Sequence, residues 1–383
     1  MKKVLFLSHV GAPGGAEYVM TRLCAPLKSS AHVLHFQPGP LEILLQEKGI
    51  SSSVLAMPSA ITNFKREEDV FSALKTIPAT IFMVRALAKE CRAYDVIICM
   101  SQKSFFLAAL AKPFMRKPIV WFMNDLLSKT HFSKPLIFLM TKVFSRFANH
   151  IVLNSQASRN AWIEHGGPKK NASIIYPGTD VNHFTSAVED TDTINAYKQK
   201  FSPDGKPLIG IFGRLTPWKG QDIFLKTIAK IPYVNAVLVG ASLFGEENHK
   251  ASLKAQVKDL NLEDRVTFAG HIEDVPKAMA ACDVITHCST AAEPFGLVIV
   301  EAMLSGTPVI ASDGGGAREI VIPGETGQRT PIGNSKALSE AIQKYLDNPQ
   351  WTKKIVHNAY IRAAEEFSND SMIEQFEALL QKT

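Results

Sequence analysis

Glu293 and Glu301 are separated by seven residues, with Pro294-Phe295-Gly296 after the first and the apolar run Leu297 to Val300 before the second. Upstream, Gly213-Arg214-Leu215 is followed by Lys219-Gly220 across a turn containing Pro217 and Trp218. Carboxylates accept hydrogen bonds from sugar hydroxyls, while an arginine fork and a lysine ammonium neutralise phosphate oxygens. Together these residue types suit a nucleotide-sugar site. The plainer readings are an exposed charged loop for Arg214 and Lys219, and a capping Glu293 with a surface Glu301. Against the first stands the strand-like run Leu208 to Phe212, which delivers the loop between Gly213 and Gly220. Against the second stands the apolar setting, because a carboxylate placed among Val298, Ile299 and Val300 needs a partner.

Two further loops have the make-up of binding elements. Pro294 suits the first position of a helix, which would leave the N–H groups of residues 295–297 free to face an anion. Near the amino terminus, Gly11-Ala12-Pro13-Gly14-Gly15-Ala16-Glu17 follows an apolar run and precedes a helical pattern at Val19, Leu23 and Leu27. Its glycines permit close backbone approach, but their spacing is not that of the dinucleotide-binding fingerprint, and a generic turn is the competing reading. No Asp-x-Asp pair or cluster of His, Cys and carboxylates accompanies these motifs, so no metal and no cofactor is expected.

Alternating apolar runs and helical patterns must position these residues, and they predict parallel sheets with crossover helices. Strands are expected at 3–9, 32–36, 95–99, 118–122, 150–153 and 172–175, then at 207–213, 235–240, 265–269, 283–287, 307–311 and 326–329. Helices are expected near 219–230, 247–260, 274–282 and 294–305. A chain of 383 residues suits two domains of about 150–200 residues each. The polar, turn-rich stretch 186–206 reads as the linker between two doubly wound α/β domains. In such sheets ligands bind at the carboxyl ends of the strands, which is where the motifs fall.

At this point the chain resembles the retaining glycosyltransferases of family 4, a large bacterial group with the GT-B fold. Gly14-Gly15-Ala16-Glu17 is similar to the family's amino-terminal loop, and Tyr176-Pro177-Gly178-Thr179-Asp180 with Phe184 to its segment before the linker. Gly213-Arg214-Leu215 with Lys219-Gly220 resembles its phosphate-binding motif. Glu293 to Glu301, then Ala302-Met303 and Gly306-Thr307-Pro308-Val309-Ile310-Ala311, resembles its paired-glutamate motif and the following helix and strand.

The resemblance implies two Rossmann-like domains facing across a cleft: an acceptor-binding domain over 1–186, a donor-binding domain over 187–355, and a carboxy-terminal segment 356–383 crossing back to the first. It implies that Arg214 and Lys219, with Gly213, hold the donor diphosphate. Glu301 would bind the ribose, Glu293 the donor sugar, and the backbone of Phe295, Gly296 and Leu297 sugar or phosphate. His271 and Ile272 would contact the base, and Gly14 and Gly15 would close over the site. Many relatives carry a histidine after the strand corresponding to 118–122; here Asn124-Asp125 stands there, and His131 is the nearest histidine. Asn124, Asp125 or His131 takes that place, and Glu17, Asn124 and His131 are expected on the acceptor side.

The implied activity is front-face transfer of a hexose from a UDP- or GDP-sugar to a glycan or lipid-linked acceptor. A nucleotide-sugar 2-epimerase of the same fold, a glycosidase and a non-catalytic nucleotide-sugar sensor are the rival readings. Residues 1–185 hold 22 Lys and Arg against 11 Asp and Glu, whereas residues 186–383 hold 20 against 25, so the first half suits an anionic partner. Nucleic acid is disfavoured because no recognition module accompanies the charge. Residues 105–117 and 129–147 mix cations with aromatics and predict docking on an anionic membrane, against the alternative of core-packed helices. The five cysteines form no framework, which suits a reduced, cytoplasmic setting at the inner face of the membrane. The opening Met1-Lys2-Lys3 and Val4 to Leu7 faintly imitate a secretion signal, but the run is short and His9 interrupts it, so it reads as the first strand.

Overall fold

A computed structural model describes residues 2–59, 77–128, 132–242 and 246–383. The expectations placed on His131 and Lys129 lie outside the described residues. The chain forms two compact units: residues 1–178 with 370–383, and residues 179–369. The expected boundaries at 186 and 355 both fall inside the second unit. The stretch read as a polar linker is largely helical, Val181–Ala187 and then Thr191–Phe201. Within it, Asp190 is an N-cap that accepts from the Thr193 N–H, and ahead of it Asp180 caps Val181–Ala187 by accepting from the His183 N–H. Phe201 is buried and its ring stacks on Tyr197, so this helix belongs to the second unit's packing.

In the first unit, β1 (Val4–Ser8), β2 (Ala31–His35), β3 (Ser52–Val54), β4 (Val96–Cys99), β5 (Ile119–Met123), β6 (His150–Leu153) and β7 (Ala172–Ile174) form one parallel sheet, ordered β3-β2-β1-β4-β5-β6-β7. β1, β4 and β5 are buried at every position, the pattern of parallel strands covered by helices on both faces. Short β3 was not expected, since Ser52-Ser53-Val54 has no apolar run to announce an edge strand. The final helix, Asn369–Lys382, buries Met372, Phe376, Leu379 and Leu380, and the Phe376 ring lies against Phe6 and Phe122.

The second unit repeats the design with β8 (Leu208–Phe212), β9 (Asn235–Val239), β10 (Val266–Gly270), β11 (Val284–His287), β12 (Val309–Ser312) and β13 (Gln328–Thr330), ordered β10-β9-β8-β11-β12-β13. Strand order reverses between β1 and β4 in one sheet and between β8 and β11 in the other. In a sheet of this kind the crevice opens beyond the strand ends at the reversal.

Candidate functional site

The expected motifs of the second unit straddle its reversal point. β8 pairs directly with β11; the loop after β8 carries Arg214 and Lys219, and the loop after β11 carries Glu293. The two loops are stitched together, because the Thr290 N–H donates to the Trp218 carbonyl at 2.8 Å. Gly220 makes the approach feasible. Its φ is 70°, and a Cβ there would stand 2.0 Å from the Cys288 carbonyl oxygen.

Glu293 is 5% exposed, and its Oε1 accepts from Lys219 Nζ at 2.7 Å, from His287 Nε2 at 2.8 Å and from the Ser289 hydroxyl. Burial by itself pushes this carboxyl up, but His287 and Lys219, through charge and hydrogen bonds, outweigh it and hold the group well below the usual carboxylate range. The carboxylate is therefore ionised across the physiological range. Its backbone is held as tightly: the Gly316 N–H donates to the Glu293 carbonyl at 2.9 Å, and a Cβ on Gly315 would come 2.0 Å from that oxygen. Lys219 also lies over the Trp218 ring, 4.4 Å from its centroid.

Arg214 is half-buried and faces Glu246, Nε to Oε2 at 3.7 Å, while the other carboxylate oxygen of Glu246 accepts from the Thr216 hydroxyl at 2.6 Å. The Arg214 carbonyl accepts from the Gln221 side chain at 2.9 Å, which fixes the turn from within. Both expected phosphate cations thus carry a carboxylate neighbour.

The helix after Glu293 is Leu297–Leu304, capped by Gly296 at φ 118°, so Pro294 is not its first residue. Phe295 is 3% exposed with its ring against Phe367, so its side chain is core. Glu301 is half-buried in the second turn of this helix. His271 and Ile272 follow β10, with His271 exposed.

In the first unit, Glu17 is buried and both its oxygens are engaged, by the Ser8 hydroxyl at 2.9 Å and the Gly14 N–H at 3.1 Å. Burial pushes its carboxyl up, with those hydrogen bonds pulling the other way. Glu17 accordingly braces the Gly14-Gly15 loop onto β1, where it was expected to meet an acceptor. Asn124 donates to the Met100 carbonyl at 3.0 Å and its own carbonyl accepts from Asn154 at 3.2 Å, tying together the ends of β4, β5 and β6. Asp125 is exposed and accepts from Gln102 at 2.8 Å. His9, just past β1, was not singled out; burial, helped by the Lys103 ammonium, pushes its imidazole down to about 4, so it is neutral at pH 7. His287, Ser289 and Glu246 were also missed. The signal for the first two was local: a histidine and a serine closing a buried strand, six and four positions ahead of Glu293.

Two parallel sheets of this strand order, with an ionised glutamate and two cations at the reversal of the second, have the architecture of GT-B proteins. Residues 192–362 match the family profile described as "Glycosyl transferases group 1", and residues 13–183 match "Glycosyltransferase Family 4". The HepE protein of Anabaena, solved in complex with UDP and glucose, is 35% identical with a TM-score of 0.89, and the match covers 100% of both chains. Sucrose-phosphate synthase from Thermosynechococcus elongatus, 23% identical over 100% of this chain and 99% of its own, shares the fold at a TM-score of 0.82. A GDP-mannose-dependent alpha-mannosyltransferase of Mycobacterium tuberculosis (strain CDC 1551 / Oshkosh) is 32% identical over 54% of this chain and 50% of its own length. The chain spans about half the length of the curated relatives it matches. It belongs to the group 1 glycosyltransferases, family 4.

Proposed function

We propose that the protein is a retaining glycosyltransferase moving a hexose from a nucleoside diphosphate donor to a glycan or lipid-linked acceptor. The observation that carries this is the buried, ionised Glu293 held by Lys219 at the β8–β11 reversal, with Arg214 on the same loop as the lysine. UDP-glucose is the donor to try first: the HepE structures hold UDP and UDP-glucose and match over their full length, whereas the GDP-mannose enzyme matches over half of its own.

Arg214 and Lys219 neutralise the diphosphate, whose charge grows as the sugar leaves; preorganised cations there act on the transition state more than on the ground state. Glu293 accepts from hydroxyls of the donor sugar, Glu301 from the ribose, and the backbone of Phe295 to Leu297 completes the cradle. His271 and Ile272 meet the base. The acceptor is held by the first unit near Asn124 and Asp125, and the departing phosphate takes the proton of the attacking hydroxyl. The two cations do the work a divalent ion does elsewhere, so transfer survives EDTA. Calorimetry with UDP, UDP-glucose and GDP-mannose, followed by NMR of the product's anomeric configuration, tests the reading. No binding of any nucleotide, or a product of inverted configuration, would overturn it.

A lipid-linked acceptor fits the first unit's surface. Apart from Asp125, residues 96–163 contain no acidic side chain. Phe105, Phe132 and Ile137, expected at a membrane, are buried core residues, but Leu110, Phe114, Phe138, Leu139 and Val143 are exposed. Arg116, Lys134, Lys142 and Arg146 are exposed along the same segments. No helix among the described residues is long and apolar enough to cross a membrane. We infer peripheral docking on anionic lipid through these side chains.

A further inference from the structure

We propose that His287 is a positioning residue for the transfer reaction, holding Glu293 in place while Lys219 is drawn to the donor diphosphate. The inference rests on the roles given above to Glu293 and Lys219.

Three donors converge on one oxygen of Glu293, and they differ in what anchors them. Lys219 reaches it on a long flexible stem from the short turn Pro217–Lys219, and its ammonium has three hydrogens to share. His287 is the last residue of β11, an interior strand flanked by β8 and β12, and it is paired in register with Ala311. Its carbonyl accepts from the Ser312 hydroxyl at 3.1 Å, so both ring and backbone are fixed. An ionised carboxylate only accepts, so Nε2 must carry the hydrogen that faces Glu293.

A phosphate competing for Lys219 would loosen one of the three bonds. A carboxylate this buried cannot lose its partners without cost. His287 and Ser289 are the donors that stay, because neither lies on the phosphate loop. Among the described residues the buried Nδ1 of His287 has no hydrogen-bond partner, and the ring's polar contacts run through Nε2 to the Glu293–Ser289 pair.

The test reads hydrolysis of UDP-glucose and calorimetric affinity for UDP in His287→Leu, His287→Gln, Glu293→Gln and the double variant His287→Leu/Glu293→Gln. The expected loss in kcat for His287→Leu is about 10- to 100-fold, with UDP affinity held within about 3-fold, since only the sugar-facing group is misplaced. His287→Gln, which keeps an N–H donor, should recover most of the rate. In the double variant the histidine change should add nothing to the loss from Glu293→Gln. Should His287→Leu not fold, His287→Phe keeps a ring without a donor and must show the same loss. Full activity of His287→Leu, a His287→Gln as impaired as His287→Leu, or losses that multiply in the double variant would overturn the inference while leaving the proposed function standing. Wild-type kcat in Glu293→Gln would overturn the role of Glu293 itself.

Discussion

Glu293 and Lys219 answer to each other more than to solvent, and that alters what substitution should do. The folded carboxyl of Glu293 lies below its ordinary value of 4.5, so its ionised form contributes stability in full above that pH, and the contribution is lost as pH falls beneath it. The gap between the urea midpoints of wild type and Glu293→Gln should therefore hold from pH 7 to about 4.5 and narrow below it; a gap unchanged at about pH 3.5 would refute the pairing. The two cations should also part company. Lys219→Ala removes one of three donors from a buried carboxylate and should cost about 1–3 kcal/mol of stability besides lowering transfer. Arg214→Ala should lower transfer as strongly, and the loss of its 3.7 Å contact to a partly exposed Glu246 accounts for about 0–1 kcal/mol. An unchanged denaturation midpoint for Lys219→Ala would contradict the buried pair.

The loops that carry these side chains depend on glycines whose demands come from neighbours distant in sequence. Gly220 holds φ 70° and leaves room for the Cys288 carbonyl, so Gly220→Ala meets both a strained backbone, worth about 1–2 kcal/mol, and a clash. It should lower the unfolding temperature and weaken UDP binding together, because the turn bearing Lys219 must shift away from the β11 loop. Differential scanning fluorimetry with and without UDP would register both changes; an undisturbed binding shift would mean the loops are not coupled. Elements whose boundaries were misjudged share a cause. Thr191–Phe201 is capped by Asp190 and begins with Thr191, residues equally at home in a turn, while the burial of Phe201 at its far end is not legible in the local sequence. Helix Leu297–Leu304 starts past Pro294 because the backbone of Glu293 is bridged to Gly315 instead of entering the helix.

The net positive charge lies in the first half of the chain, and among the described residues most of the exposed large apolar side chains lie in the first unit. Vesicles of anionic lipid should sediment the protein at low salt and release it at high salt, with each engaged cation adding about 1 kcal/mol. Phe114→Ser with Phe138→Ser should weaken binding at both salts without affecting UDP affinity, since neither side chain belongs to the unit that carries Glu293 and Lys219. Equal, negligible binding to anionic and neutral vesicles at low salt would leave a soluble acceptor or one presented by another protein.

Strand positions in the second half, its helices near 219–230, 247–260, 274–282 and 294–305, the reversal-point loops and the types of residue at the site could be read from order along the chain, whereas the helices Ser335–Asp347 and Pro349–Glu366 were not anticipated. Parallel strands covered on both faces appear as unbroken apolar runs, and loops after them appear as glycine-bracketed polar residues; both signals are local. Family membership was legible for the same reason, as several motifs in sequence order. That Lys219 joins His287 and Ser289 on Glu293 was not, because the lysine meets the carboxylate only after β8 and β11 pair, whereas the histidine and serine lie six and four residues ahead of it. Neither was the engagement of Glu17, which reads as a free acid beside two glycines until folding buries it against Ser8 and Gly14. The split of the aromatic stretch into buried Phe105 and exposed Phe114 likewise waited on which face of the helix Gln102–Met115 is buried. Residue types are a property of the chain; partners and burial are decided by contacts between segments far apart in it.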